Sequence, residues 1–154
     1  MQNDFIIALA WPEGMVSACG SWYDVFFAKN KKYRVGHSAL VLVESVTGNL
    51  RYFDFGRYHT PKDFGRVRDA ETDGDVTIKT IAKIEKNQIT NLKEILFEIK
   101  KKESFHGEGT LYASILNDVS YSKAYKYAKK VQKNGLIPYG PFVYNGTNCS
   151  RFVA

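Results

Sequence analysis

Near the end of the chain, in "YNGTNCSRFVA", Cys149 follows Asn148 and precedes an apolar Phe-Val pair. Asn and Thr are helix-capping types, so "CSRFV" reads as the opening of a helix. A cysteine there feels the positive end of the helix dipole and unsatisfied N–H groups, which favour thiolate over thiol and could hold an oxyanion. A free cysteine is also commonly a small buried hydrophobe, and the segment taken alone favours that plainer reading. A nucleophilic thiol needs a base, and the chain has three histidines. His59, in "RYHTPKD", falls at a strand end beside a turn, and His106, in "SFHGEG", lies in a Gly-flanked loop; both are expected on the surface. His37 instead opens the apolar run "HSALVLVES" after a glycine, where an imidazole can protrude from a rigid edge into a cleft.

An imidazole base works best when a third group orients it. "HSALVLVES" and "LRYFDFGRY" flank "VTGN" and read as a hairpin. A two-residue turn at Thr47-Gly48 sets Val41 opposite Asp54 and His37 opposite Tyr58. His37 then shares a face with Tyr52, Asp54 and Tyr58. Asp54 is the carboxylate of that set, and burying it between Phe53 and Phe55 is costly unless it is paired. Pairing with His37 supplies the reason. A different loop length or a bulge turns Asp54 to the other face, and Tyr52 is the alternative third residue.

"GHSALVLV" early and "NCSRFV" late, in that order, resemble the circularly permuted branch of the NlpC-type papain-like cysteine peptidases, the branch similar to lecithin:retinol acyltransferase. The resemblance implies Cys149 as nucleophile, His37 as general base and Asp54 in the orienting position. It implies a cysteine hydrolase acting on a peptide or amide bond through a thioacyl intermediate, with no cofactor. Lipid acyl transfer or thioester hydrolysis is the rival chemistry on the same fold, and a non-catalytic binding module is the rival outside enzymes. Two departures stand out. The hairpin loop is longer than the family's tight turn, and the helix that carries Cys149 has barely one turn before Ala154. The natural chain is expected either to continue or to prop that short helix by tertiary contacts.

Other motifs carry less. Cys19, in "SACGSWYD", is a competing nucleophile in the order Cys before His, but the preceding "MVSA" lacks the Gln expected of that type. "DFG" at 54–56 stands without a glycine-rich loop or an HRD-like stretch and is a chance match. "NGT" and "NCS" match the glycosylation sequon without a secretory signal. Scattered His and Cys show no metal-ligand spacing. Trp11, Trp22, Tyr23 and Tyr58 could wall a cleft, although a core role suits most of them better.

These residues need a scaffold. "FIIALAW" predicts a buried first strand stopped by Pro12, and "GSWYDVFFAKN" a short helix or turn. "DVTIKTIAKI" alternates and predicts a third strand beside the hairpin, while "GTLYASIL" reads as a further strand with a helix as the alternative. "ITNLKEILFEIKKKES" and "DVSYSKAYKYAKKVQKNG" read as helices, the second with capping residues before it and Gly after it. The expected class is α+β, an antiparallel sheet with packed helices in a permuted papain-like arrangement. At 154 residues, with 44% hydrophobic composition and no repeat or linker, one domain is expected over 1–154.

The net charge of +6 comes largely from lysines spaced along the two helices opposite apolar stripes, which is how solvated faces look. No nucleic-acid motif accompanies it, so nucleic acid is not the expected partner; the compact cluster "NKKYR" (30–34) is expected on a loop. Two cysteines make no disulfide framework, and the first apolar run is too short for a secretory core or a membrane span. A cytoplasmic protein with a peptide, amide or acyl-ester substrate is the expectation. Oligomeric state is left open.

Overall fold

The computed structural model describes residues 3–17, 24–34, 36–140 and 142–154. In chain order the elements are β1 (Asp4–Trp11), β2 (Met15–Ser17), α1 (Asp24–Phe27), β3 (Lys32–Arg34), β4 (His37–Val43), β5 (Leu50–Gly56), β6 (Phe64–Arg68), β7 (Ile84–Glu85), β8 (Gln88–Ile89), α2 (Leu92–Lys101), β9 (Tyr112–Val119), α3 (Tyr121–Lys133), β10 (Ile137–Pro138) and α4 (Cys149–Val153). Single 3-10 turns occupy Gly74–Val76 and Glu103–Phe105. Six strands form one antiparallel sheet in the order β10-β6-β5-β4-β1-β9; β2 with β3 and β7 with β8 form two small hairpins.

Alternation along the strands sorts side chains to two faces. Phe5, Ile7, Leu9 and Trp11 of β1 join Ala39, Val41, Val43 and Tyr52 on one face, covered by Ile95 and Ile99 of α2 and by Val76, Ile78 and Phe105. Leu40, Leu42, Phe53, Phe55 and Val67 line the other, covered by Ala128 of α3 and Phe152 of α4. Both faces being covered, β4 is buried continuously from Ala39 to Val43, which explains its unbroken apolar run. The expected α+β architecture is present, and this layout is compatible with a papain-like fold.

Three expectations are corrected. The turn joining β4 and β5 is not two residues: Glu44 and Asn49 still pair, leaving a loop at 45–48 closed by Gly48 N–H donating to the Glu44 carbonyl. The register therefore slips by two positions, setting Ala39 opposite Asp54 and Val41 opposite Tyr52. Residues 75–84 are not a strand of the sheet: they leave the 3-10 turn at Gly74–Val76 and pass α2 without a regular element over 77–83, where the Lys79 and Thr80 N–H groups donate to the Glu98 carboxylate. The sheet neighbour of β5 is β6 instead. Part of the 30–34 cluster, Lys32–Arg34, is a strand paired with Met15–Ser17 rather than loop.

Candidate functional site

The slip of two is even, so the hairpin keeps His37 and Asp54 on one face. His37 is the first residue of β4, and Gly36 before it takes φ +69, where an added Cβ would lie 2.8 Å from the Trp11 carbonyl oxygen. A left-handed, close-packed position of this kind favours glycine, which accounts for the "GH" pair. The imidazole stacks on the Trp11 indole at 5.6 Å between centroids. Its Nε2 lies 3.2 Å from Asp54 Oδ2.

Asp54 is fully buried and holds more partners than the hairpin alone supplies. Tyr52 and Tyr58 hydroxyls donate to Oδ2 at 2.8 and 2.9 Å. Arg68 Nε donates to Oδ1 at 2.9 Å and its Nη2 to Oδ2 at 2.7 Å. The Tyr58 hydroxyl is also 3.4 Å from His37 Nε2. Burial opposes the charged carboxylate, but the Arg68 fork outweighs it, with His37 helping, and holds Asp54 down at about 2.

Cys149 opens α4 and is 7% exposed. Asn148 caps the helix, its side-chain oxygen accepting from the Arg151 N–H at 2.9 Å. Phe152 anchors the helix in the core face shared with Leu40 and Phe53, so tertiary packing props this single turn. The His37 imidazole, the Ser38 backbone N–H and the Ser150 hydroxyl all act on the thiol, each favouring its charged form. With Nε2 on Asp54, Nδ1 is the ring nitrogen left for sulfur. Burial pushes the thiol pKa up, but these partners, His37 foremost, bring it below its ordinary value. For His37, burial pushes down, while Asp54 and then Cys149 carry its pKa up to about 9. The two shifts run in the direction that favours a thiolate–imidazolium pair over two isolated neutral groups.

The group opens on a cleft of about 760 Å³ that His37 and Cys149 line together. Arg57, Lys62, Glu103, His106 and Glu108 are among its lining residues. Tyr58, one of the four aromatic residues that could wall a cleft, lines it and also touches Asp54. Trp11 is core and cleft support at once. His59 is exposed, as expected. His106 is exposed too, yet it lines the cleft and stacks on Tyr58 at 5.3 Å; burial and then Arg68 press its pKa down. The sequence reading passed over Arg68. Its signal was an arginine in the alternating "FGRVR", beside a buried carboxylate that one imidazole could not neutralise at all pH values. Cys19, Trp22 and Tyr23 lie outside the described residues. Among the described residues no group of three or more His, Cys, Asp or Glu could hold a metal ion, and no helix is long and apolar enough to cross a membrane.

A family model described as type VI secretion system effector TseH-like matches residues 6–154. Among solved structures, the crystal structure of the type VI secretion system effector TseH is similar with a TM-score of 0.65 and 25% sequence identity, over 99% of this chain and 73% of that one. No curated protein sequence matches the chain.

Proposed function

This chain belongs to the TseH-like family of type VI secretion system effectors, and from that premise we propose that it is an effector whose activity is that of a cysteine hydrolase of the permuted papain-like kind. The observation that carries the proposal is that Cys149 and His37 line one cleft while the His37 imidazole is paired with the buried Asp54. Cys149 thiolate attacks the carbonyl carbon of an amide or ester, and the carbonyl π electrons move to oxygen. The Cys149 backbone N–H, at the start of α4, supplies part of the oxyanion site. As the tetrahedral adduct collapses, the bond to the leaving group breaks and the His37 imidazolium gives that group its proton, leaving a thioacyl enzyme. Water then attacks the thioester carbonyl while His37 takes its proton, the C–S bond breaks as the adduct collapses, the acid leaves, and Cys149 is regenerated as thiolate beside the imidazolium. Asp54 fixes the ring so that Nδ1 faces sulfur throughout.

Charged residues lining the cleft favour a peptide or other polar amide over a lipid acyl chain, which would meet Arg57, Lys62, Glu103 and Glu108 without compensation. The cytoplasm is then where the chain resides before secretion.

Iodoacetamide alkylation at near-neutral pH tests the site without knowledge of the substrate. Labelling is expected to be fast, to vanish at this position in Cys149→Ser, and to slow by at least about tenfold in His37→Ala. Equal, slow labelling of Cys19 and Cys149 would mark a binding module instead.

A further inference from the structure

We infer that Arg68 is a positioning residue of this site: it holds Asp54 as a fixed anion, aims its Oδ2 at His37, and ties the cleft loop at 103–108 to the same point. The inference rests on the proposed Cys149–His37–Asp54 chemistry, which does not itself require an arginine.

The geometry separates the two carboxylate oxygens. Oδ2 meets His37, Tyr52, Tyr58 and Arg68 Nη2, whereas the hydrogen bond that Oδ1 accepts comes from Arg68 Nε. The guanidinium fork therefore sets the plane of the carboxylate, and rotating Oδ2 away from His37 breaks both of its bonds. Asp54 and Arg68 are also direct cross-strand partners on β5 and β6, so the fork is built by sheet register rather than by a loose side chain. Arg68 is itself 3% exposed.

Charge is the second part. A carboxylate as deep as Asp54, with only hydroxyls and an imidazole around it, would take up a proton readily. A protonated Asp54 can no longer accept two hydroxyls and an imidazolium at one oxygen. Arg66 cannot substitute, because its guanidinium is held by Asp73 at 2.6 and 2.7 Å. Arg68 also reaches outward: Nη2 donates to the Ser104 carbonyl at 2.9 Å, and the guanidinium lies 3.5 Å from the centre of the Tyr58 ring, which stacks on His106. One side chain thus ties the acid to the loop that bears Glu103, His106 and Glu108.

The test reads the pH dependence of Cys149 alkylation by iodoacetamide in the full chain, in a Cys19→Ser background, for the parent, Arg68→Lys, Arg68→Gln and His37→Ala. The titrating and charged groups around Asp54 are His37 on β4, Tyr52 on its own strand, Tyr58 in the following loop and Arg68 on β6. Cys149 lies beyond His37 and His106 beyond Tyr58; Asp73, forked to Arg66, also acts on Arg68, and Asp75 acts on His106. In Arg68→Gln, Asp54 protonates within the accessible range and releases His37. The acid limb of alkylation should then move up by about one pH unit, a roughly tenfold slower reaction at its foot. Arg68→Lys keeps a charge but cannot reach both oxygens and the Ser104 carbonyl, so its limb should fall between the two. A His37-dependent limb that neither Arg68 variant moves overturns the role of Arg68 alone; if Arg68→Gln fails to fold, an unmoved limb in Arg68→Lys does so by itself. A limb that His37→Ala leaves in place overturns the proposed chemistry, and the role of Arg68 with it.

Discussion

At the residue scale, the centre of the candidate site is a buried charge rather than the proposed nucleophile. Asp54 is fully buried and receives two hydroxyls, an imidazole and a guanidinium. An isolated carboxylate there would be too costly, so the pairing is as much a condition of folding as of chemistry. Asp54→Asn keeps the shape but leaves the Arg68 guanidinium buried opposite a neutral amide. The variant should lose about 3–5 kcal/mol of unfolding free energy, measured by chemical denaturation. The pairing of His37 with Asp54 was legible in sequence because each is a polar residue in an apolar run that must find a partner. The helix start at Cys149 was legible through the Asn148 cap. Arg68 was not, since a hairpin argument sees only its own two strands, while the partner that neutralises Asp54 comes from the third.

At the element scale, parity decided more than register. The β4–β5 loop is longer than a tight turn, yet the slip of two residues preserves which side chains share a face, so His37 still meets Asp54. An odd slip would have separated them. The helices were legible from their apolar stripes and caps: Ser120 does accept from the Lys123 N–H at the start of α3. The alternation in 75–84 misled because burial, not a hydrogen-bonded ladder, imposes it. Val76, Ile78 and Ala82 drop into the core layer while the backbone is held by Glu98 and by Gly48. Gly48 is the pivot of that contact, with φ +72, its carbonyl accepting from the Ala82 N–H at 2.8 Å. An added Cβ would stand 2.4 Å from the Ala82 carbonyl oxygen. Gly48→Ala should therefore cost about 1–3 kcal/mol in a denaturation midpoint shift. It sits at the end of the hairpin opposite the site, so Cys149 alkylation in the folded variant should keep its pH profile.

At the scale of the whole molecule, the site is written into stability as a function of pH. Asp54 and Glu98 are both held at about 2, below their ordinary values: burial opposes this in each, but Arg68 overcomes it for Asp54 and the Lys79 N–H and Thr80 do so for Glu98. Stability from these groups is present above their unfolded values near 4 and is lost as pH falls toward 2. His37 runs the other way. Burial opposes its charge, but Asp54 and Cys149 raise its pKa from 6.5 to about 9, so its contribution is complete below pH 6.5 and fades as pH rises through 9. Cys149, lowered from 9.0 chiefly by His37 against burial, contributes stability that is present above pH 9.0 and lost as pH falls through its folded value. As pH rises from 6.5 toward 9 the histidine contribution falls while the cysteine contribution grows, so the two oppose each other. The melting temperature of the parent should therefore fall less across that window than the histidine alone would dictate. In Cys149→Ser the histidine term stands alone, Asp54 still holds the imidazolium, and the melting temperature should decline as pH rises above 6.5. Parallel curves for the two proteins would mean that thiol and imidazole titrate independently, and the ion pair at the heart of the proposed mechanism would not exist.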